Sequence, residues 1–176
     1  MNPAVKIVGA LRGAEMTFIV LMGVAGSGKT TIGRALAAQL GWKFYDADDF
    51  HPPANIARME RGLPLDDADR LPWLETLRAL VRERLAGGES AVLACSALKA
   101  VYRAHLLLDE RVKLVYLKGN FDLIQKRLAH RRGHFMPAAM LESQFAALEE
   151  PARESHLDID ATPDEIVRAI RLRFGV

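Results

Sequence analysis

The residues Gly23-Val24-Ala25-Gly26-Ser27-Gly28-Lys29-Thr30 set three glycines, a lysine and a hydroxyl at the spacing G-x-x-x-x-G-K-T. Those types at that spacing bind phosphate. Gly23, Gly26 and Gly28 let the backbone curl so that its N–H groups, including those of Val24, Ala25, Ser27 and Thr31, point inward. The helix that begins here adds positive field. Lys29 would reach the β and γ phosphates of a nucleoside triphosphate, and the Thr30 hydroxyl would sit on Mg²⁺. A glycine-rich turn with an incidental Lys-Thr is the plain alternative. It would not require the flanks seen here, the apolar run Thr17 to Met22 before the loop and helical spacing from Thr31 to Leu40 after it. Strand, glycine loop, helix is the context in which this motif binds ATP.

A second set of chemical groups follows Trp42-Lys43-Phe44-Tyr45, a short strand that delivers Asp46-Ala47-Asp48-Asp49-Phe50-His51 at its carboxyl end. Open α/β sheets place ligands there. Asp46 and Asp48 are two apart, so in extended chain they share a face. Phosphoryl transfer to an alcohol needs a carboxylate to orient the hydroxyl and take its proton, and a group that orders the metal shell. We read Asp48 as base and substrate ligand and Asp46 as metal-side; the reverse assignment and an acidic surface turn remain the alternatives. His51 is either a substrate hydrogen-bond donor or the rim of a turn. Zinc is not expected, because no His or Cys shares ligand spacing with it.

The elements that must hold these groups alternate along the chain. Past Pro52-Pro53, a helical piece from Asn55 to Arg61 ends at Gly62. The next helix, capped by Asp69 or a neighbour, carries Trp73, Leu74, Leu77, Leu80, Val81 and Leu85 at 3.6-residue spacing. Strands are expected at Ser90 to Cys95, Lys113 to Leu117 and His156 to Asp160, and helices from Lys99 to near Asp109, Phe121 to Arg131 and Pro137 to Glu150. The last helix has Thr162 as N-cap, Pro163 in its first turn and Glu165 at the capping-box position. Five strands alternating with helices predict an α/β fold, a parallel sheet covered on both faces.

Composition bounds the rest. The chain has 176 residues, 50% of them apolar and 26% charged, as in an ordinary globular domain. Its formal charge of +2 is too small to argue for nucleic acid, and its basic runs lack interleaved stacking aromatics. The single Cys95 excludes an internal disulfide framework and reads as a buried small side chain. No apolar run reaches membrane-spanning length. Residues 1–15 make a poor signal peptide, so a cytoplasmic protein is expected. That segment reads as a dispensable extension or an over-long start, with one domain over 16–176.

The chain resembles the gluconate kinase family of P-loop small-molecule kinases from Phe18 to about Val167. Beyond the phosphate loop, the resemblance rests on Asp46-Ala47-Asp48-Asp49-Phe50-His51-Pro52, on Asn55, Met59, Asp67, Asp69-Arg70 and Pro72-Trp73-Leu74, on Cys95-Ser96-Ala97-Leu98-Lys99, and on Gly133-His134-Phe135-Met136 with Ser143-Gln144-Phe145. Shikimate kinase shares the general layout and a similar Asp pair. Ala25 stands where the family commonly has Ser, and Asn120 where it usually has Asp. The resemblance implies a P-loop NTPase fold of the nucleoside-monophosphate/shikimate kinase type with a small helical lid, about residues 124–140. It implies ATP- and Mg²⁺-dependent phosphorylation of the C6 hydroxyl of D-gluconate, in the pentose phosphate or Entner–Doudoroff routes, by a homodimer.

Gluconate carries a carboxylate at one end and hydroxyls along its length, so its site needs cations and hydrogen-bonding groups. Arg58, Lys99 and Arg103 are the candidates, each weighed against an ordinary solvated charge; Lys99 and Arg103 are expected on one helix face. Arg127 and Arg131 stand four apart on a helix, and an anion such as the ATP phosphates would relieve their repulsion. A solvated basic helix end also fits Arg131. His134 and Gln144 could touch the sugar acid. Another polyol, or shikimate, is the alternative acceptor. A nucleotide-dependent regulatory module is a further alternative, but a GTPase would want an Asn-Lys-x-Asp-like base reader, and the sequence has none.

Overall fold

A computed structural model describes residues 16–130 and 138–176. The first strand, β1 (Phe18–Met22), is wholly buried. Its side chains alternate between two apolar layers. Ile19 and Leu21 face one, with Ile32, Leu36, Ile124 and Ile170; Phe18, Val20 and Met22 face the other, with Trp73, Leu77, Tyr102 and Leu106. A strand buried on both faces belongs in the middle of a parallel sheet. It does sit there, in the order β2 (Lys43–Asp46), β3 (Ala91–Ala94), β1, β4 (Val112–Lys118), β5 (His156–Asp158), with every neighbouring pair parallel. The expected fold class is therefore the observed one.

The first layer is covered by α1 (Lys29–Leu40), α5 (Phe121–Ala129) and α7 (Pro163–Phe174), the second by α3 (Asp67–Ala86) and α4 (Ala100–Leu106). A short α2 (Pro53–Glu60) links β2 to α3, and α6 (Ala138–Ala147) precedes β5. Local chemistry sets several ends. Gly41 closes α1 in the left-handed conformation. Asp66, not Asp69, is the N-cap of α3, and Asp69 completes the capping box from the third position. Thr162 and Glu165 form the expected box at α7. In the expected α3 stripe only Leu80 is half-buried; the others are buried.

Several elements are shorter than their sequence patterns. The helix expected to reach Asp109 stops at Leu106, because the Asp109 side chain accepts from the Arg111 N–H at 2.9 Å and turns the chain into β4. The helix expected to reach Glu150 ends at Ala147, where the Glu149 N–H bonds instead to the Leu98 carbonyl at 2.9 Å. The fifth strand ends at Asp158 rather than Asp160, closed by a 2.8 Å bond from the Asp160 N–H to the Asp158 carboxylate. Residues 1–15 and part of the expected lid, 131–137, lie outside the described residues. Among the described residues no helix is long and apolar enough to cross a membrane.

Candidate active site

The sheet order puts the carboxyl ends of β2, β3, β1 and β4 in one row. The loop after β1 bonds to its neighbour through the Gly23 N–H and the Ser96 carbonyl, 3.4 Å apart. Gly26 and Gly28 have φ of 82° and 95°. At Gly26 a Cβ would also lie 2.8 Å from Leu128 Cγ. Only glycine fits both the backbone and the space there. Gly28 leads directly into α1, whose first residues are Lys29, Thr30 and Thr31. The Lys29 ammonium curls over the loop and donates to the Val24 carbonyl at 3.0 Å.

The Thr30 hydroxyl donates to Asp46 Oδ2 at 2.9 Å. Asp46 ends β2, and its Oδ1 accepts the Asp48 N–H at 3.3 Å, which starts the 3-10 turn Ala47–Phe50. The same turn is anchored from α3 by the Trp73 indole N–H, which donates to the Ala47 carbonyl at 2.7 Å. The start of the loop is thus held from α1 and from α3, with the two carboxylates on different errands. Asp46 faces Thr30, while Asp48 lies among Lys29, His51 and Asp49. Crowding by protein atoms, then repulsion from Asp46, raises the Asp48 pKa above the ordinary aspartate value, against the attraction of Lys29. The residue as a whole is exposed, so the crowding acts on a carboxyl that solvent still reaches.

His51 is 8% exposed. Its ring stacks on Trp73 with centroids 4.5 Å apart, and its Nδ1 faces the Asn55 amide at 3.4 Å. Burial lowers its pKa, so the ring is held neutral with the amide donating to Nδ1 and the proton on Nε2. Asn55 is itself fixed by a 2.8 Å bond to the Asp69 carbonyl.

The basic residues named from sequence divide by their partners. Arg58 pairs with Asp69 at 3.4 Å and donates to the Pro64 carbonyl at 3.1 Å. Lys99 does not share a helix face with Arg103. It is the extended N-cap of α4, and its ammonium bridges back to both Asp67 oxygens at 2.7 and 2.9 Å. Arg103, 8% exposed, turns under the β3–α4 loop and donates to the Ala97 and Leu98 carbonyls, each at 3.0 Å. Burial depresses its pKa without displacing it from the cationic range. Arg127 is half-buried and donates to the Ile159 carbonyl at 2.6 Å, which sets it beside the end of β5. Gln144 reaches the phosphate loop itself, its Oε1 accepting the Ala25 N–H at 2.7 Å. Arg131 and His134 lie outside the described residues.

Sequence spacing gave no warning of two participants. Arg70 stands over the Tyr102 ring at 5.8 Å and is close enough to His51 to help lower its pKa. Glu149 caps the α4 N-terminus, accepting the Ala100 N–H at 2.6 Å. Asp69-Arg70 was visible as a marker pair, but nothing local said which way Arg70 turns. The open groove of about 500 Å³ at the ends of β4 and β5, with Lys118, Asn120, Lys126 and Asp160 among its lining, contains none of the candidate catalytic or binding residues named from sequence.

Among the described residues there is no group of three or more His, Cys, Asp or Glu side chains that could hold a metal ion. The Thr30–Asp46 pair offers a hydroxyl and a carboxylate at one spot. That suits Mg²⁺, which usually takes one or two protein oxygens and completes its shell from phosphates and water.

A phosphate loop entering a helix at the middle of a parallel sheet, facing a carboxylate pair across the strand ends, defines a P-loop small-molecule kinase. The shikimate kinase family model matches residues 25–162. The chain is 47% identical to a gluconokinase from Gluconobacter oxydans, covering 79% of each chain. It is 44% identical to a mouse protein named probable gluconokinase, covering 86% of this chain and 94% of that one. The structure matches that of a gluconokinase from Sinorhizobium meliloti with a TM-score of 0.81 and 40% identity, over 92% of this chain and 93% of that one. The chain belongs to the gluconokinase family. A shikimate kinase from Aquifex aeolicus, at TM-score 0.55 and 20% identity, shares the fold.

Proposed function

We propose that the protein transfers the γ-phosphoryl group of ATP to the C6 hydroxyl of D-gluconate, giving 6-phospho-D-gluconate and ADP. The observation that carries this reading is the Thr30 hydroxyl on Asp46 Oδ2 at 2.9 Å, which engages one carboxylate with the phosphate loop and leaves Asp48, two residues on and exposed, for the acceptor. Bound Mg²⁺ would neutralise charge on the phosphates, and Thr30 with Asp46 would hold its protein side. The phosphate loop, Gly23 to Thr31, cradles the nucleotide. Lys29, Arg127 and Arg131 meet the charge that develops on the transferring group. Asp48 accepts a hydrogen bond from the acceptor hydroxyl, orients it in line, and takes its proton as the new bond forms.

On the acceptor side, His51 offers an Nε2–H donor, and Arg58, Lys99, Arg103, His134 and Gln144 are the groups that would meet the sugar acid. Arg70, half-buried and without a carboxylate partner among the described residues, joins them. Residues 16–176 act as one kinase domain with a lid at about 124–140, in a cytoplasmic homodimer. These parts of the reading follow the family resemblance.

A coupled ADP-release assay over gluconate, shikimate and other sugar acids tests the reading. Turnover with gluconate at least tenfold above the others is expected. The matching family model makes shikimate the second reading, and preferential turnover of shikimate would replace gluconate with it.

A further inference from the structure

The cations on the acceptor side are not equally available. Arg103 is engaged by backbone carbonyls, and Arg58 by Asp69 and Pro64. Lys99 is different, because its partner is a free-standing carboxylate. Asp67 lies 32 residues away in sequence, at the first position of α3, with its side chain 63% exposed. Both of its oxygens sit on the Lys99 ammonium, and Oδ1 also takes the Tyr102 hydroxyl. Arg70 stands on the ring of the same tyrosine. An ammonium, a phenol hydroxyl and a nearby guanidinium around one carboxylate form the environment that a sugar acid would seek at its charged end. A side chain of this protein fills it.

We propose that Asp67 is an internal stand-in for the acceptor's carboxylate. It holds Lys99 while the cleft is empty, and an incoming carboxylate must take Lys99 from it. This rests on the gluconate reading above, and makes Asp67 a positioning residue that acts on substrate through Lys99. Two consequences follow. Apparent affinity for the acid is reduced by the fraction of molecules in which Lys99 is free. A polyol without a carboxylate does not compete with Asp67 for Lys99, so the pair weakens binding of the acid and leaves that of a neutral chain unchanged. The pair is solvent-exposed, and exposed pairs are weak. The competition is therefore mild, on the order of 2- to 5-fold in KM.

The test is the KM for gluconate in Asp67→Asn and Asp67→Ser, both of which keep an acceptor for Tyr102. The Ki of D-glucitol, which has the hydroxyl chain but no carboxylate, is read by competition in the same proteins. Asp66→Asn is the control: it removes the same charge one residue away and keeps a good helix cap. Expected are a 2- to 5-fold lower gluconate KM in both Asp67 variants, kcat within twofold, and an unchanged glucitol Ki. Asp67→Glu should return KM to near the unsubstituted value. An unchanged or raised KM overturns the proposal. So does an equal fall in glucitol Ki, or the same KM shift in Asp66→Asn. If the unsubstituted protein releases no ADP with gluconate, the functional reading fails and the stand-in fails with it. That result is distinct from an active enzyme indifferent to Asp67.

Discussion

Replacing Asp48 with Asn separates the proton-accepting role from everything else that loop does. The backbone bond from Asp48 to Asp46 and the Trp73 bond to Ala47 do not involve the Asp48 carboxylate, so the turn keeps its shape. What disappears is the negative charge beside Lys29 and His51. Loss of a general base should lower kcat by ~10²–10⁴, which corresponds to about 3–5 kcal/mol on the barrier. ATP binding should stay near normal, because Thr30 and Asp46 are untouched. The pH profile carries a second signature. Asp48 must be ionised to act, and crowding by protein atoms with repulsion from Asp46 raises its pKa. Activity should therefore fail on the acid side at a higher pH than an ordinary aspartate would give, and the variant should lose that limb. Stability should move the opposite way. A carboxyl whose folded pKa is raised is favoured in its neutral form, so stability is present at low pH and declines as pH rises through that pKa. Asn is always neutral, and its melting temperature at neutral pH should equal or exceed that of the unsubstituted protein. The measurements are steady-state ADP release with saturating gluconate, ATP and Mg²⁺ from pH 5 to 9, and thermal unfolding at the same pH values. A variant retaining more than a tenth of kcat would refute the assignment. If Asp46→Asn abolishes turnover at saturating Mg²⁺ while Asp48→Asn is normal, the two carboxylates have exchanged roles.

Lys29→Ala should fold normally, since the ammonium's contact with the Val24 carbonyl is a half-buried surface bond, yet lose most turnover for want of charge stabilisation on the transferring group; near-normal kcat would remove Lys29 from the mechanism. Arg127→Gln should raise the barrier by about 2–4 kcal/mol, by analogy with the loss of one stabilising donor. A crystal structure with an ATP analogue, showing the Arg127 guanidinium still on the Ile159 carbonyl and away from the phosphates, would exclude that role. Trp73→Phe removes the indole bond to the Ala47 carbonyl but keeps an aromatic face for His51. It should cost about 1–2 kcal/mol in denaturant unfolding and raise the gluconate KM, and an unaltered KM would show that the carboxylate loop does not depend on that anchor.

The sequence disclosed the parts of the fold whose cause is local. The phosphate loop announces itself because its glycines answer a steric demand within a few residues, and the Thr162 box does so because cap and partner lie three apart. The Asp46–Asp48 pair was legible as chemistry because strand periodicity and sheet topology carry it to the ligand edge. Its division of labour gains support from Thr30, 16 residues away. The basic residues were harder to read, and for a physical reason. A lysine or arginine declares its charge but not its partner, and here the partners are remote. Lys99 finds Asp67 across 32 residues, and the same interval separates Arg127 from Ile159. Gln144 meets Ala25 across 119. Helical spacing placed Lys99 beside Arg103, but the helix begins one residue later, at Ala100. Ala97, with φ of 43°, bends the preceding loop, and Arg103 is drawn under it to the Ala97 carbonyl and to the Leu98 carbonyl, which the Glu149 N–H also reaches. Two cations four apart thus end with different fates, one committed to the scaffold and one poised on an exchangeable carboxylate. Sequence can identify residues able to grip an acid. Which of them can be released to do so depends on the competing partner each has within the fold.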